Sequence, residues 1–477
     1  MKKVEKISAA ELSSYPEADI ETVDNLLLEE IQRNHKKIIV LDDDPTGVQT
    51  VHDISVYTDW SEESVKAGFA EENSLFYILT NSRGLTDGET TKVHQDIAAV
   101  VSKVSQERDQ DFVMISRCDS TLRGHYPLET EILKEGFEQK LKIKIDGEIL
   151  CPFFKEGGRF VIDNILYVKY GQDLIPAGQT EYSKDKTFGY TSSDICDYVE
   201  EKTQGRFKAE QVITVSMEDL RAVNIDKITE QLMNTKDFNK IVVNATSSTD
   251  VKVFVIAFYR AIAGGKHFIF RTAAAMVKEI GGISDRPFLK RIEMIEKETE
   301  NGGIVVIGSH TQKTTSQLEE LKKLEGISCV EFNSDLVLDD AKFQTEIAET
   351  IKKLEEIILN KQTAVVYTRR KLLSLENDTK EQALIRSVKI SEAVQSLVGN
   401  LSVEPAFVVA KGGITSSDVG TKALRVKKAR VMGQIRPGIP VWQTGEESKF
   451  PHIPYIIFPG NVGEVETLRE VVEILIG

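Results

Sequence analysis

The densest chemistry in the chain lies in Ile115-Ser116-Arg117-Cys118-Asp119-Ser120-Thr121-Leu122-Arg123-Gly124, where two guanidinium groups, a carboxylate and three hydroxyls follow the apolar run Phe112-Val113-Met114-Ile115. Arg117 and Arg123 can each grip a carboxylate through paired N–H donors, and Asp119 can accept a hydrogen bond or a proton from a hydroxyl. Such a set suits a small anionic polyol. Taken alone the segment reads equally well as surface charge at a strand end, closed by Gly124. Two further apolar runs end in the same manner: Ile38-Ile39-Val40-Leu41 opens into Asp42-Asp43-Asp44-Pro45-Thr46-Gly47, and Leu75-Phe76-Tyr77-Ile78-Leu79 into Thr80-Asn81-Ser82-Arg83-Gly84. Open α/β sheets bind ligands at the carboxyl ends of their strands, so three polar strand ends favour a site.

The C-terminal third carries glycine turns instead. Phe407-Val408-Val409-Ala410 leads into Gly412-Gly413-Ile414-Thr415-Ser416-Ser417-Asp418. The two glycines let backbone N–H groups approach an anion, and Thr415 to Ser417 can cap and open a helix whose N-terminus favours negative charge. The gap to Gly420-Thr421-Lys422 is too long for a Gly-x-x-x-x-Gly-Lys loop, so membership of the P-loop NTPases does not follow. Gly308-Ser309-His310 and Pro459-Gly460-Asn461-Val462-Gly463 are further candidates: Ser309 offers a hydroxyl and a backbone N–H, and Gly460 and Gly463 permit close approach of a phosphate or adenine. Arg436, within Gly433-Gln434-Ile435-Arg436-Pro437-Gly438, is an additional cation for a triphosphate, though a solvated charge is the plainer reading.

The elements that must position these residues follow from the spacing of apolar runs. From Ile38 to about Ala275, runs such as Ile54-Ser55-Val56-Tyr57, Ile241-Val242-Val243 and Phe268-Ile269-Phe270 alternate with helical stretches, which predicts a mainly parallel sheet wrapped by helices. Residues 276 to 303 read as a connection. Beyond it Ile304-Val305-Val306-Ile307, Ala364-Val365-Val366-Tyr367 and Phe407-Val408-Val409-Ala410 repeat the pattern, each ending at a Gly, Ser or basic turn. The expected fold class is α/β in two domains, each a mainly parallel sheet flanked by helices: a helical lead-in over 1–35, a ligand-binding domain over 36–290 and a glycine-turn domain over 300–477. No fixed-period repeat is present, which excludes solenoids.

Composition agrees. The chain has 477 residues, more than one hydrophobic core normally serves, with 41% hydrophobic and 28% charged residues. A net charge of −15 argues against a nucleic-acid scaffold and leaves anionic ligands to local Arg and Lys clusters. The basic start Met1-Lys2-Lys3-Val4-Glu5-Lys6 has no apolar segment behind it and no run reaches the length of a membrane span, so a soluble, cytoplasmic protein without membrane partners is expected. Cys118, Cys151, Cys196 and Cys329 are too scattered for a zinc site or a disulfide framework, and no His-Glu-x-x-His metal signature occurs. Cys118 and Cys151, beside the candidate segments, read as small packing residues.

On these motifs the chain resembles the four-carbon acid sugar kinases, which phosphorylate threonate, erythronate or oxo-tetronate with ATP. The family's Asp-Asp-x-Thr-Gly turn is matched by Asp43, Asp44, Thr46 and Gly47, its Asn/Thr-rich turn ending in Arg by Asn81 and Arg83, and its x-Asp-Ser-Thr-Leu-Arg-Gly motif by Asp119 to Gly124. The likeness continues through Cys151-Pro152-Phe153-Phe154-Lys155-Glu156-Gly157-Gly158-Arg159, Thr180-Glu181-Tyr182-Ser183-Lys184-Asp185 and the C-terminal glycine turns. The resemblance implies a terminal-hydroxyl kinase in which Arg83, Arg117 and Arg123, with Asp44, Thr46 and Ser120, hold the sugar acid, and Asp43 or Asp119 is the base. It implies ATP contacts from Ser309, Gly412, Gly413, Thr415, Gly460 and Gly463, and Mg²⁺ carried by phosphates and waters with no dedicated protein ligand. Domain closure would exclude water, and a homo-oligomer is compatible with the pattern. Two departures stand out: Arg117 where the family more often has Lys, which leaves the substrate open, and Ile414 where it usually has an acidic residue.

Two other readings compete. Asp42-x-Asp44-x-Thr46 also fits the nucleophile motif of haloacid dehalogenase-like phosphatases, with Asp42 attacking phosphorus. That reading lacks a Gly-Asp-x-x-x-Asp segment downstream and leaves the C-terminal half without a role. A non-catalytic sugar-acid sensor would keep the clamp without turnover.

Overall fold

The computed structural model describes residues 4–297, 299–371, 373, 375, 378–460 and 462–477. Met1–Lys3 of the basic start and Asn461 of the last glycine turn lie outside the described residues. In chain order the strands are β1 (Ile7–Ser8), β2 (Lys37–Asp42), β3 (Ile54–Tyr57), β4 (Leu75–Leu79), β5 (Phe112–Arg117), β6 (Gly147–Cys151), β7 (Arg159–Ile162), β8 (Ile165–Tyr170), β9 (Asp173–Pro176) and β10 (Ile213–Val215). They continue with β11 (Asn239–Val243), β12 (Phe268–Thr272), β13 (Ile304–Ile307), β14 (Ile327–Phe332), β15 (Thr363–Thr368), β16 (Val408–Lys411), β17 (Lys428–Arg436), β18 (Ile439–Thr444) and β19 (Pro454–Phe458). Two compact units result: residues up to Val51 together with Asp59–Asp285, and His52–Thr58 together with Arg286–Gly477.

In the first unit the order β10-β11-β6-β12-β5-β2-β4 is parallel throughout. Its central strands are continuous apolar runs because helices cover both faces, and Ile38 to Leu41 and Phe76 to Ile78 are at most 2% exposed. Register matters most for function: Asp42 pairs with Leu79 on one side and Arg117 on the other, and Arg117 with Thr272. The ends of four neighbouring strands therefore stand level. The crossover helices start where their caps dictate; Asp87–Arg108 opens with a capping box between Thr86 and Glu89. A small antiparallel sheet, β1-β9-β8-β7, lies outside this pattern. Its Val161, Leu166 and Val168 join Leu122, Tyr190 and Tyr198 in one core cluster, and the Tyr198 hydroxyl donates to the Leu122 carbonyl at 2.9 Å. That cluster anchors the turn carrying Asp119 and Arg123.

In the second unit the order is β3-β17-β18-β19-β16-β13-β15-β14, parallel from β19 to β14 and antiparallel at β3, β17 and β18. Phe458, Lys411, Ile307 and Tyr367 stand level at the strand ends. A core of Val305, Ile307, Val409, Ile456 and Phe458 closes against Leu468, Val471 and Val472 of the helix Thr467–Ile476.

Ile54–Tyr57 falls, by sequence order, inside the 36–290 span, yet it bonds antiparallel to β17, with Ile54 opposite Val431 and Tyr57 opposite Lys428. No local pattern announces a partner so distant in sequence. Among its described residues the 1–35 lead-in holds one α-helix, Ile20–Arg33, preceded by β1 and a 3-10 turn at Ala9–Ser13. Among the described residues no helix is long and apolar enough to cross a membrane.

Candidate active site

At the level strand ends of the first unit, guanidinium and carboxylate groups interlock. Arg83 is bidentate on Asp43, with Nη2 2.7 Å from Oδ1 and Nε 3.1 Å from Oδ2, and its Nη1 lies 3.3 Å from Asp44 Oδ2. Arg117 lies between Asp42 and Asp43, at 3.3 Å and 3.2 Å. Asp44 accepts from the Thr46 amide at 2.8 Å and from its hydroxyl, an Asx turn that fixes the loop. Arg123 Nε donates to Asp119 Oδ2 at 2.6 Å, Thr121 donates to the same oxygen, and Asp185 lies 3.7 Å from Arg123 Nη1. The guanidinium groups of Arg123 and Arg159 lie over the ring of Tyr182, 5.1 Å and 5.4 Å from its centre. Ser120 is half-buried beside Asp119. The structure thus gathers Asp43, Asp44, Thr46, Arg83, Arg117, Asp119, Ser120 and Arg123 at one end of one sheet.

Exposure separates the members. Asp43 and Arg117 side chains are 3% and 6% exposed, whereas Arg83 and Arg123 show 25% and 27%. The buried pair forms the base of the array, and Arg83 and Arg123 are its partly open cations. Gly47 is part of that foundation: a Cβ there would lie 2.2 Å from Arg117 Nε and from Asp42 Oδ1.

Environment pushes the carboxyl groups apart. Burial raises Asp42 to about 7, with Arg117 opposing. Burial also raises Asp43 above the ordinary carboxylate range, and Arg83 and Arg117 offset it only in part. For Asp119 burial acts the same way but loses to Arg83 and Arg123, which hold it well below that range. Asp44 is likewise lowered, burial being outweighed by Arg83 and Thr46. Two carboxyl groups at one site with opposite tendencies can take different roles.

Sequence reasoning overlooked Arg271. It ends the run Phe268-Ile269-Phe270, so the strand-end signal was present. Its guanidinium is 2% exposed, donates to the Arg123 carbonyl at 3.1 Å, lies 3.7 Å from Glu129 and stacks over Tyr126 at 5.0 Å. Glu129 in turn accepts from Ser82 at 2.6 Å, so one buried group braces the turns carrying Arg83 and Arg123. Asp185, Tyr182 and Arg159 came from the quoted motifs without assigned roles.

In the second unit the glycine turns converge. Gly412 has φ +120, and a Cβ on it would lie 3.2 Å from Ser309 Cβ and 3.4 Å from Thr415 Oγ1. A Cβ on Gly460 would lie 3.7 Å from Ser309 Oγ, and the Gly412 amide donates to Phe458 O at 2.9 Å. Gly463 contributes its carbonyl, which accepts from Lys313 at 3.1 Å. Ser309, Gly412, Gly413, Thr415 and Gly460 thus gather at one set of strand ends, with Gly463 closing the last turn. Thr415 is not a cap, however: the helix begins at Gly413 after Gly412, so Thr415 is its third residue and turns its hydroxyl to Gly308. Ser416 bonds back to Ala410 at 2.8 Å. Arg436 pairs with Glu470 at 2.9 Å and has a structural partner. His310 is half-buried against the Thr368 hydroxyl at 3.2 Å.

Among the described residues no group of three or more His, Cys, Asp or Glu side chains could hold a metal ion. The site carboxylates already face guanidinium groups. Cys118 and Cys151 are buried with thiols pushed up to about 12, as packing residues would be.

Residues 38–280 match the family model of a sugar-binding N-terminal domain, and residues 304–468 that of a nucleotide-binding C-terminal domain. This pairing is the architecture of the four-carbon acid sugar kinases, and the chain belongs to that family. Among solved structures it is similar to a Haemophilus influenzae protein, 14% identical with a TM-score of 0.59, over 92% of this chain and 100% of the other. It is also similar to a protein described as a putative tRNA synthase from Salmonella typhimurium LT2, 14% identical with a TM-score of 0.65, over 92% and 98% of the two chains. At such identity the likeness speaks for the fold alone. No curated protein sequence matches the chain.

Proposed function

We propose that the chain transfers the terminal phosphoryl group of ATP to the terminal hydroxyl of a four-carbon sugar acid, threonate, erythronate or oxo-tetronate. The observation that carries this reading is the arginine–carboxylate array in the sugar-binding unit, where partly exposed Arg83 pairs with the buried Asp43, of raised pKa, and partly exposed Arg123 pairs with Asp119. Arg83 and Arg123 grip the substrate carboxylate and hydroxyls, with Asp44, Thr46 and Ser120 completing the contacts. Arg117, buried between Asp42 and Asp43, positions Asp43 from below. Asp43 takes the hydroxyl proton as that oxygen bonds to the phosphorus and the bridging oxygen leaves with ADP. Asp119, held acidic, is the weaker base and the better acceptor for a hydroxyl that keeps its proton.

The nucleotide phosphates lie against the Gly412-Gly413 turn, with Ser309, Thr415, Gly460 and Gly463 around them. Mg²⁺, when bound with ATP, neutralises phosphate charge, and the donors present fit an ion held by phosphates and waters with the Ser309 and Thr415 hydroxyls nearby. A cytoplasmic location, where ATP is abundant, belongs to the same proposal.

A phosphatase using Asp42 is disfavoured because it leaves the nucleotide-binding domain over residues 304–468 without a role. ADP release measured over a panel of four-carbon sugar acids with ATP and Mg²⁺ tests the proposal. Turnover that requires one such acid is expected. Binding of an acid without turnover would support a sensor, and phosphate release from phosphomonoesters with no kinase activity would support the phosphatase.

A further inference from the structure

Lys411 ends β16 and is completely buried. Its ammonium donates to the carbonyls of Pro459 at 2.8 Å and Gly460 at 3.2 Å, and lies 4.1 Å from the centre of the Phe458 ring. Among the described residues no carboxylate pairs with it. The charged group that acts on it is another cation, Lys313 of the helix Gln312–Leu321, whose ammonium reaches the Gly463 carbonyl at 3.1 Å. Buried ammonium groups ordinarily have a counter-charge, because desolvation is costly without one. Here the Lys411 ammonium has the Pro459 and Gly460 carbonyls as acceptors, and Lys313 reaches the Gly463 carbonyl. Burial, with Lys313 adding to it, pushes the Lys411 ammonium down to about 7. The same turn carries Gly460, which adjoins Ser309 and Gly412.

We propose that Lys411 is a positioning residue whose missing counter-anion is the polyphosphate of the nucleotide, with the Pro459 and Gly460 carbonyls holding the ammonium until phosphate arrives. The proposal rests on the nucleotide-binding reading of the second unit. Lys411 acts through the Gly460 turn and through its charge, since it has no exposed surface. A polyphosphate seated on that turn favours the protonated amine, so binding slightly above neutral pH draws a proton from solvent.

The test is calorimetric titration of the full chain with ADP, without sugar acid, in two buffers of different ionisation heat. The intact protein should take up a proton. Lys411→Met should bind ADP about tenfold or more weakly and take up correspondingly less, while sugar-acid affinity and cooperative melting stay unchanged. Lys411→Arg, which cannot deprotonate, should keep more affinity than Met yet show the same loss of uptake. His310, Lys313 and the nucleotide's own phosphate are present in all three proteins, so the differences between them report on residue 411, and either variant suffices if the other does not fold. Equal proton uptake and equal affinity in a folded variant would overturn the proposal. A protein that takes up the proton on ADP but phosphorylates no sugar acid would refute the kinase reading and leave Lys411 in its role.

Discussion

Asp43 and Asp119 both feel the charge of Arg83, and burial wins at the first while charge wins at the second. A base works in its deprotonated form, so a raised pKa moves the acid limb of kcat/KM upward in pH. The acid limb should therefore lie above the ordinary carboxylate range. Asp119→Asn should keep that limb while weakening substrate binding, and Asp43→Asn should remove nearly all turnover; a limb that vanishes in Asp119→Asn would transfer the base role to Asp119. Arg123→Ala, which removes a partly exposed charge-assisted pair, should cost about 1.5–3 kcal/mol in kcat/KM with melting little changed. Unaltered kinetics would take Arg123 out of the clamp. The sequence made most of these residues visible because each directly follows an apolar run. What it hid was their partners: nothing in the spacing of Arg117 tells that its donors face Asp42 and Asp43 and not a ligand, and Arg271 went unremarked although it ends the same kind of run.

At the scale of elements, the parallel strands were legible because sheets covered on both faces need unbroken apolar runs, and Lys37–Asp42, Leu75–Leu79, Phe112–Arg117 and Ile304–Ile307 all have them. The antiparallel pieces were not. β7, β8 and β9 are short, with exposed residues such as Lys169 and Tyr170, and β3 belongs to the second unit only through bonds to β17. Element ends also impose limits that can be tested. A Cβ on Gly47 would overlap Arg117 and Asp42, two side chains buried against each other, so something must shift. Gly47→Ala should lower stability by about 1–3 kcal/mol and reduce turnover together, read by denaturant unfolding and kinetics. A variant as stable and active as the parent would mean that the Asp-rich turn is not the rigid support described.

At the scale of the whole molecule, a sugar-binding domain precedes a nucleotide-binding domain, and the proposal places the sugar acid in the first and ATP in the second. Gly412→Ala places a side chain at φ +120 against Ser309, and it should weaken ADP binding while leaving sugar-acid binding measurable. Loss of sugar-acid affinity with ADP affinity intact would reverse the assignment. The central claim is phosphorylation of a terminal hydroxyl, and its most direct test is phosphorus NMR of the product formed from ATP and the best acid of the panel. The account predicts a phosphomonoester coupled to the protons of the terminal carbon. A phosphate on any other oxygen, or free inorganic phosphate as the sole product, would contradict it.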